Sequence, residues 1–340
     1  LGFFFFSELA RAFQGKTDWK HFGISTGILA LAFVLGVGMN SQRIMANSEY
    51  VSETVRGQQI LDNGVHSSEK SGMDNESILM WSYGKLETLN LFIPRLMGGS
   101  SNEEGSDRMM NRVQEMVQSN VSSQEEMNQI SKGFGSLTYW GDQPGTSGPA
   151  YQGAIVCFLA ILGFFFAWKK YRYWILGASV LSVLLAWGSN FMPLSELFIK
   201  FVPFYDKFRA PSSIMPIFSF MVATFATFTL NELVSKKIEF ADIKKPFLYS
   251  FGGLAILLLL LIILGPSLFS FSADSDDRLA QQGVNLSLLQ DLRAGFMRGD
   301  AMRSLVFLAL GAVLVWLFIK AKIKSSLLIG GLALLIIADL

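Results

Sequence analysis

The sequence carries little charge and almost no cysteine or histidine. Only 16% of its 340 residues are charged, well below the roughly 25% usual in soluble domains. A single cysteine, Cys157, excludes a disulfide framework and a cysteine-based metal site within one chain. The two histidines, His21 and His66, lie far apart, and the net charge is only +1. We therefore predict no metal site and no nucleic-acid partner.

The common catalytic motifs are also missing. The chain has no Walker loop, no Gly-x-Gly-x-x-Gly after a strand, no His-Glu-x-x-His and no Gly-x-Ser-x-Gly elbow. No charged residue is expected near the centre of an apolar run, which disfavours an ion-coupled transporter.

What the sequence does have is long apolar runs. It is 51% hydrophobic, and an apolar helix of about 20 residues spans a bilayer. The pattern predicts an all-α polytopic membrane protein. We expect membrane spans at residues 1–13, 22–39, 151–168, 172–189, 212–233, 246–269, 302–320 and 325–340.

Short basic loops predict the orientation. The lysine and arginine clusters near residues 11–20, 169–172, 236–245 and 320–324 fall on alternate connections, and such clusters usually remain in the cytoplasm. The chain then divides into transmembrane helices at 1–39, an extracytoplasmic insert at 40–150, and a bundle at 151–340. The outer loops of that bundle are 190–211 and 270–301. Because apolar runs stand at both ends, we expect an internal fragment whose first helix is truncated.

The insert is predicted to be mixed and mostly helical. We expect a helix from Asn75 through Trp81 and Glu87 to Pro94, and another over 106–131. In the 270–301 loop we expect Asp274, Asp276 and Asp277 to be solvated. An interfacial helix should follow at Leu286–Phe296.

Two regions offer candidate functional residues. Asp142 lies in a Gly/Pro loop beside Tyr139 and Trp140, whose rings are able to stack on a sugar; it is either an acceptor-binding carboxylate or a turn cap. A short interfacial helix at 194–202 precedes Lys207 and Arg209. These cations either anchor the chain at the membrane surface or bind a lipid phosphate.

Several short motifs resemble the bacterial YfhO-like membrane protein family. They include Trp81-Ser82-Tyr83-Gly84, Tyr139-Trp140-Gly141-Asp142-Gln143-Pro144, Tyr151-Gln152-Gly153-Ala154, Trp187-Gly188-Ser189-Asn190 and Tyr205-Asp206-Lys207-Phe208-Arg209. The match follows the chain order and covers nearly all of it.

The resemblance implies a bundle like that of the GT-C glycosyltransferases, in the bacterial cytoplasmic membrane. Such enzymes transfer a sugar from a polyprenyl-phosphate donor, here to an envelope glycopolymer. Their catalytic carboxylate lies in the first outer loop, which we expect upstream of this chain, so the catalytic residue is unknown and Asp142 is a candidate. The predicted substrate-binding residues are Tyr139, Trp140, Asp142, Glu87, Tyr205, Lys207 and Arg209.

Two alternatives and one cofactor question stay open at this point. The chain is either the glycosyltransferase, a transporter or flippase for a lipid-linked sugar, or a non-catalytic envelope assembly factor. A divalent metal dependence is left open by the resemblance.

Overall fold

The computed structural model describes residues 2–52, 73–100, 138–144, 148, 150–166, 172–235, 240–281 and 285–340. Within these ranges all regular secondary structure is helical, which confirms the predicted all-α class. The predicted helix over 106–131 lies outside the described residues, as does His66.

Twelve α-helices are described. They are α1 (Gly2–Phe13), α2 (Trp19–Met39), α3 (Ser41–Ser52), α4 (Asn75–Leu79), α5 (Ala154–Phe166), α6 (Arg172–Ala186), α7 (Met192–Phe201), α8 (Met215–Ser235), α9 (Phe240–Leu268), α10 (Asp276–Gln281), α11 (Leu286–Ile319) and α12 (Ser325–Asp339). Short 3₁₀ helices lie at Leu86–Leu91, Gly188–Phe191, Tyr205–Lys207 and Pro211–Ile214.

The apolar helices are those of a multi-pass membrane protein. Within the described ranges, α2, α8, α9 and α11 are long and apolar enough to cross a bilayer. The predicted spans at 151–168 and 325–340 correspond to shorter helices, α5 and α12. Helix α6 is joined to the 188–201 segment through a bend of 115°, so α7 does not continue the direction of α6.

Helix α11 corrects one prediction. The interfacial helix at Leu286–Phe296 and the span at 302–320 are one continuous helix of 34 residues. At 1.5 Å per residue it is about 51 Å long, well beyond the 30 Å of hydrocarbon. Asn285 begins it by accepting bonds from the N–H groups of Ser287 and Leu288. Helix α11 is therefore longer than a single crossing of the hydrocarbon layer requires.

The predicted helix from Asn75 to Pro94 is also wrong. Asp74, not Asn75, caps α4 by accepting from the Ser77 N–H at 3.0 Å, and α4 ends at Leu79. The chain then turns, and a separate 3₁₀ helix follows at Leu86–Leu91. The turn between them brings Ser82, Tyr83 and Gly84 into the buried part of the molecule.

Helix α5 lies at the centre of the bundle. Its Ile155, Phe158 and Leu162 are fully buried, and it packs against α8, α9 and α11. Gly163 permits the close approach of α8, because a Cβ there would overlap the Thr229 hydroxyl. Helix α2, by contrast, has no buried residue.

The polar segments gather at one end of this bundle, here called the polar cap. It comprises residues 73–100, the described parts of 138–150, residues 187–214 and 269–281, and Asn285 with the start of α11. Trp140 packs against Phe271 with ring centroids 4.9 Å apart, and the Ser212 N–H donates to the Trp81 carbonyl at 3.3 Å. The insert therefore contacts the predicted 270–301 loop at Phe271 and the chain just after the predicted 190–211 loop at Ser212.

Candidate functional site in the polar cap

Two of the motifs that carry the family resemblance bind directly to each other. The Ser82 hydroxyl accepts from the Ser189 N–H at 2.8 Å, and the Asn190 amide donates to the Tyr83 carbonyl at 3.2 Å. Gly188 fits only because it lacks a side chain: its φ is +44°, and a Cβ would overlap the Ser82 hydroxyl. The Trp81–Gly84 turn is thus fixed to the end of α6.

A buried carboxylate, Glu87, lies next to this turn. Its side chain is 1% exposed. One oxygen accepts from the Tyr139 hydroxyl at 2.6 Å, and the other accepts from the Gly84 N–H at 2.6 Å. The Tyr139 oxygen in turn accepts from the Gln143 N–H at 2.9 Å. The carboxylate therefore joins the 84–87 segment to the 139–143 loop, which lies more than fifty positions along the chain.

Glycines make room for this carboxylate. A Cβ at Gly141 would lie 2.5 Å from the Glu87 Oε1 atom and overlap the Tyr139 hydroxyl. A Cβ at Gly84 would lie 2.9 Å from the Asp142 Oδ2 atom. Any larger residue at Gly141 would push Tyr139 away from its acceptor.

The environment of Glu87 changes its titration. Burial is the largest influence and raises the pKa of the carboxyl above its ordinary value. The hydrogen bonds from Tyr139 and Gly84 lower the pKa, and the negative charge of Asp142 raises it again. Burial and the Glu87 charge also raise the pKa of Tyr139, which keeps its hydroxyl protonated as a donor.

We expect this shift to appear in the pH dependence of stability. Because the folded pKa of Glu87 is raised, the stability it contributes is complete below the ordinary glutamate pKa and is lost as pH rises through the folded value. Glu87→Gln should remove that loss, so the variant should gain stability relative to wild type as pH rises. Unfolding is followed by circular dichroism from below the ordinary glutamate pKa to above the folded pKa. The free energies of unfolding of the variant and the wild type are then compared at each pH.

An exposed glutamate on α4 supplies the control. Glu76→Gln removes a carboxylate that lies outside the buried cluster and should keep the wild-type pH dependence. An unchanged pH dependence in Glu87→Gln would show that the carboxyl titrates normally.

Asp142 lies at the edge of this cluster. It is exposed, and its Oδ2 atom accepts from the Asn190 amide at 3.2 Å. Asn190 thus holds Asp142 from a segment 48 positions away, so this bond is not that of a local turn cap. The carboxylate of Asp142 faces the outside of the polar cap while that of Glu87 faces the inside.

Trp140 does not take the predicted sugar-stacking role. It is only 9% exposed, and its ring is covered by Phe271 and Phe269. Tyr139 is half-buried, with its hydroxyl committed to Glu87. The half-buried indole of Trp81 lines a cavity of the cap instead; sequence reasoning missed it because the residue was placed inside a helix.

The two predicted phosphate-binding cations are not equivalent. Lys207 Nζ lies 2.8 Å from a carboxylate oxygen of its neighbour Asp206. Arg209 is exposed, and its guanidinium lies over the Trp81 ring, 5.3 Å from the centroid. Among the described residues, no carboxylate forms an ion pair with Arg209. Tyr205 packs on Phe198 with ring centroids 5.6 Å apart.

The backbone around Arg209 is constrained. Ala210 has a φ of +67° and Phe204 a φ of +66°, a left-handed conformation that non-glycine residues seldom adopt. Pro211 follows directly. Two residues of left-handed conformation and a proline therefore bracket the segment that carries Arg209.

Arg209 and Trp81 both line a cavity in the polar cap. It has a volume of about 490 Å³, and its walls include Tyr83, Gln143 and Ser213. The Trp81 indole N–H donates to the Pro144 carbonyl at 3.0 Å, which fixes the ring that faces the guanidinium. Gln143 connects the cavity to the Glu87 cluster through its N–H bond to Tyr139.

The prediction that Asp276 is solvated is wrong. Asp276 is 5% exposed and receives two bonds from Arg293 of α11, at 2.8 and 2.9 Å. Arg293 is 1% exposed and also donates to the Phe271 carbonyl. A second two-bond pair, Arg95 with Asp300, joins the insert to α11 at 2.7 and 2.9 Å.

No group of three or more metal-binding side chains occurs within the described parts of the chain. Comparison with protein-family models, curated proteins and solved structures found no match.

Proposed function

We propose that this chain is a membrane glycosyltransferase-like protein of the YfhO-like family, with a GT-C-like bundle. It would transfer a sugar from a polyprenyl-phosphate donor to a cell-envelope acceptor. In this proposal the polar cap faces the outside of the bacterial cytoplasmic membrane, as the basic loops at the opposite ends of the helices favour.

The observation that supports the proposal best is the Arg209 cavity. A guanidinium at the mouth of a cavity is well suited to phosphate, because its planar fork donates two parallel bonds. The Trp81 ring beside it offers a flat apolar face of the kind that stacks on sugars. A lipid-linked sugar phosphate carries a phosphate that suits the guanidinium and, joined directly to it, a sugar that suits the ring.

The two carboxylates take different parts in this proposal. Glu87 is buried and holds Tyr139, and through it the loop that carries Asp142. Asp142 is exposed and held by Asn190, so it is the carboxylate able to meet an acceptor hydroxyl. We assign Asp142 to positioning the acceptor and Glu87 to positioning the loop.

A transfer assay tests the proposal. The protein is purified into lipid nanodiscs and supplied with radiolabelled polyprenyl-phosphate sugars and cell-envelope glycopolymer, and label in the polymer is counted. Radiolabel that enters the polymer only when the protein is present supports the glycosyltransferase. Donor binding without transfer favours the non-catalytic assembly factor, and movement of donor between leaflets without transfer favours the flippase.

Within that assay, Asp142→Asn should reduce transfer by roughly tenfold, because losing a charged contact with the acceptor raises the barrier by about 1.4 kcal/mol. The matched control is Asp274→Asn, which neutralises another exposed aspartate of the cap and should leave transfer unchanged. Normal transfer by a well-expressed Asp142→Asn protein would show that Asp142 does not position the acceptor.

A further inference from the structure

A second cavity lies between the first two helices, α1 and α2. It has a volume of about 430 Å³. Phe4 lines it and packs against Trp174, in the first turn of α6, with ring centroids 5.6 Å apart. The last residue of α6, Ala186, accepts from the Tyr83 N–H in the polar cap. The cavity therefore lies near the end of α6 that points away from the polar cap.

The walls of this cavity change from charged to apolar along the two helices. Its charged side chains come from the second half of α1, the connection at 14–18 and the first turn of α2, and they are Glu8, Arg11, Lys16, Asp18 and His21. Phe5 and Leu29 line it farther from the connection. Leu29 is eight residues beyond His21, which is about 12 Å along a helix. The cavity thus suits an amphipathic molecule whose polar group lies near residues 14–18.

The charged end offers a cation whose charge is not compensated. Arg11 pairs with Glu8 at 3.5 Å, and the Thr17 hydroxyl donates to Glu8 at 3.2 Å. Lys16 Nζ instead donates to the neutral side-chain oxygen of Gln14 at 2.9 Å. Among the described residues, no carboxylate forms an ion pair with Lys16. Its charge is therefore available to an anion.

The same end also offers a carboxylate. Asp18 caps α2 by accepting from the Lys20 N–H at 3.4 Å. It is exposed, and a carboxylate has about four acceptor positions, so the cap leaves room for a further donor. A purely anionic ligand would be attracted by Lys16 and repelled by Asp18. A ligand that carries one charge of each sign is attracted by both.

We propose that this cavity binds a phospholipid whose headgroup carries a phosphate and a primary ammonium, as in phosphatidylethanolamine. The phosphate lies at Lys16 and Arg11, and the ammonium lies at Asp18. One acyl chain follows the apolar wall from Phe5 to Leu29. Basic pockets between membrane helices are known sites for lipid headgroups. The site is separate from the Arg209 cavity and does not depend on the proposed function.

Photocrosslinking tests this occupant directly. The protein is placed in phosphatidylcholine nanodiscs with a trace of phosphatidylethanolamine that carries a diazirine in one acyl chain, and mass spectrometry locates the labelled peptides after irradiation. We expect label on α1 and α2. Unlabelled phosphatidylethanolamine should compete more strongly than phosphatidylglycerol, and the soluble headgroup glycerophosphoethanolamine should not compete.

A substitution that fills the apolar part of the cavity tests the position of the acyl chain. Leu29→Trp should reduce the label by roughly tenfold, because a site already lined by side chains has no room for both the indole and the chain. The control is Leu31→Trp, the same change on the same helix at an exposed residue that does not line the cavity.

Substitutions at the charged end test the headgroup. Lys16→Gln should reduce the label by roughly fivefold, because a lysine near the membrane surface contributes that much to binding a lipid phosphate. Lys20→Gln, at an exposed lysine outside the cavity, should leave it unchanged. Asp18→Asn removes the negative charge but keeps a side chain that caps helices equally well. In that variant phosphatidylglycerol should compete as strongly as phosphatidylethanolamine.

The contrary outcomes are distinct. Label spread over all helices without competition would show only bulk lipid. Equal competition by phosphatidylglycerol in the wild type would show that the ammonium is not recognised, and competition by glycerophosphoethanolamine would show that the occupant is a soluble headgroup. An unchanged label in Leu29→Trp would place the acyl chain elsewhere. Each of these overturns the inference, whereas a protein that performs no sugar transfer leaves it intact.

Discussion

Arg293→Ala should destabilise the protein by about 3–5 kcal/mol, because it leaves a buried carboxylate without its partner. Arg293 and Asp276 are both nearly inaccessible to water and share two short bonds. A titration with SDS in mixed micelles, followed by circular dichroism, measures the change in the free energy of unfolding.

Two controls identify the cause of that loss. Arg278→Ala removes an exposed arginine two positions from Asp276 and should change stability by less than about 0.5 kcal/mol. The double variant Arg293→Met with Asp276→Leu removes both charges and should recover much of the loss. If Arg293→Ala and the double variant are equally unstable, the loss comes from packing rather than from the unpaired carboxylate.

The ion pair also explains why the helix boundaries near α11 were not predictable. Arg293 and Asp300 made the segment before residue 302 resemble a polar loop, because charges in an apolar helix are costly. Their partners, Asp276 and Arg95, lie on other segments, and Asp300 and Arg95 are separated by 205 positions. Periodicity finds a helix from its own residues but cannot find a charge partner elsewhere. The apolar runs away from these charges were predicted to within a few residues at most ends.

The candidate site was predictable in composition but not in arrangement. The structure brings the motifs at 81–84, 139–144, 187–190 and 205–209 into contact with one another. Their sequence did not show that Trp140 is buried, that Trp81 lines a cavity, or that Glu87 rather than Asp142 lies at the centre. Those differences depend on burial, which follows from the packing of segments distant in the chain.

Lys207 and Arg209 illustrate the same limit. The sequence predicted that both cations either anchor the chain at the membrane surface or bind a lipid phosphate. In the structure Lys207 is next to Asp206, whereas Arg209 lies on the indole face at the mouth of the cavity. A cation that is already paired with a carboxylate attracts a phosphate less strongly than a cation that lies over an aromatic ring. The two residues should therefore contribute unequally to donor binding.

Arg209→Ala should weaken the apparent affinity for the lipid-linked donor by roughly thirty-fold, because hydrogen bonds to a charged group contribute about 2 kcal/mol. Arg209→Lys retains the charge but loses the planar fork and its stacking on Trp81, so it should fall between Ala and wild type. Lys207→Ala, the matched control, should weaken binding by no more than roughly threefold, because the Lys207 charge is already paired with Asp206.

The measurement is donor binding to each variant in nanodiscs at matched expression, with circular dichroism to confirm that each protein is folded. The order of affinities decides between the two roles of Arg209. A residue that only anchors the chain at the membrane surface needs a positive charge on a long stem, which lysine supplies equally well. A residue that binds phosphate through two parallel bonds does not tolerate that exchange. Equal donor affinity of Arg209→Lys and wild type would therefore assign Arg209 to membrane anchorage. A larger loss of affinity in Lys207→Ala than in Arg209→Ala would show that Lys207 is the main phosphate-binding residue.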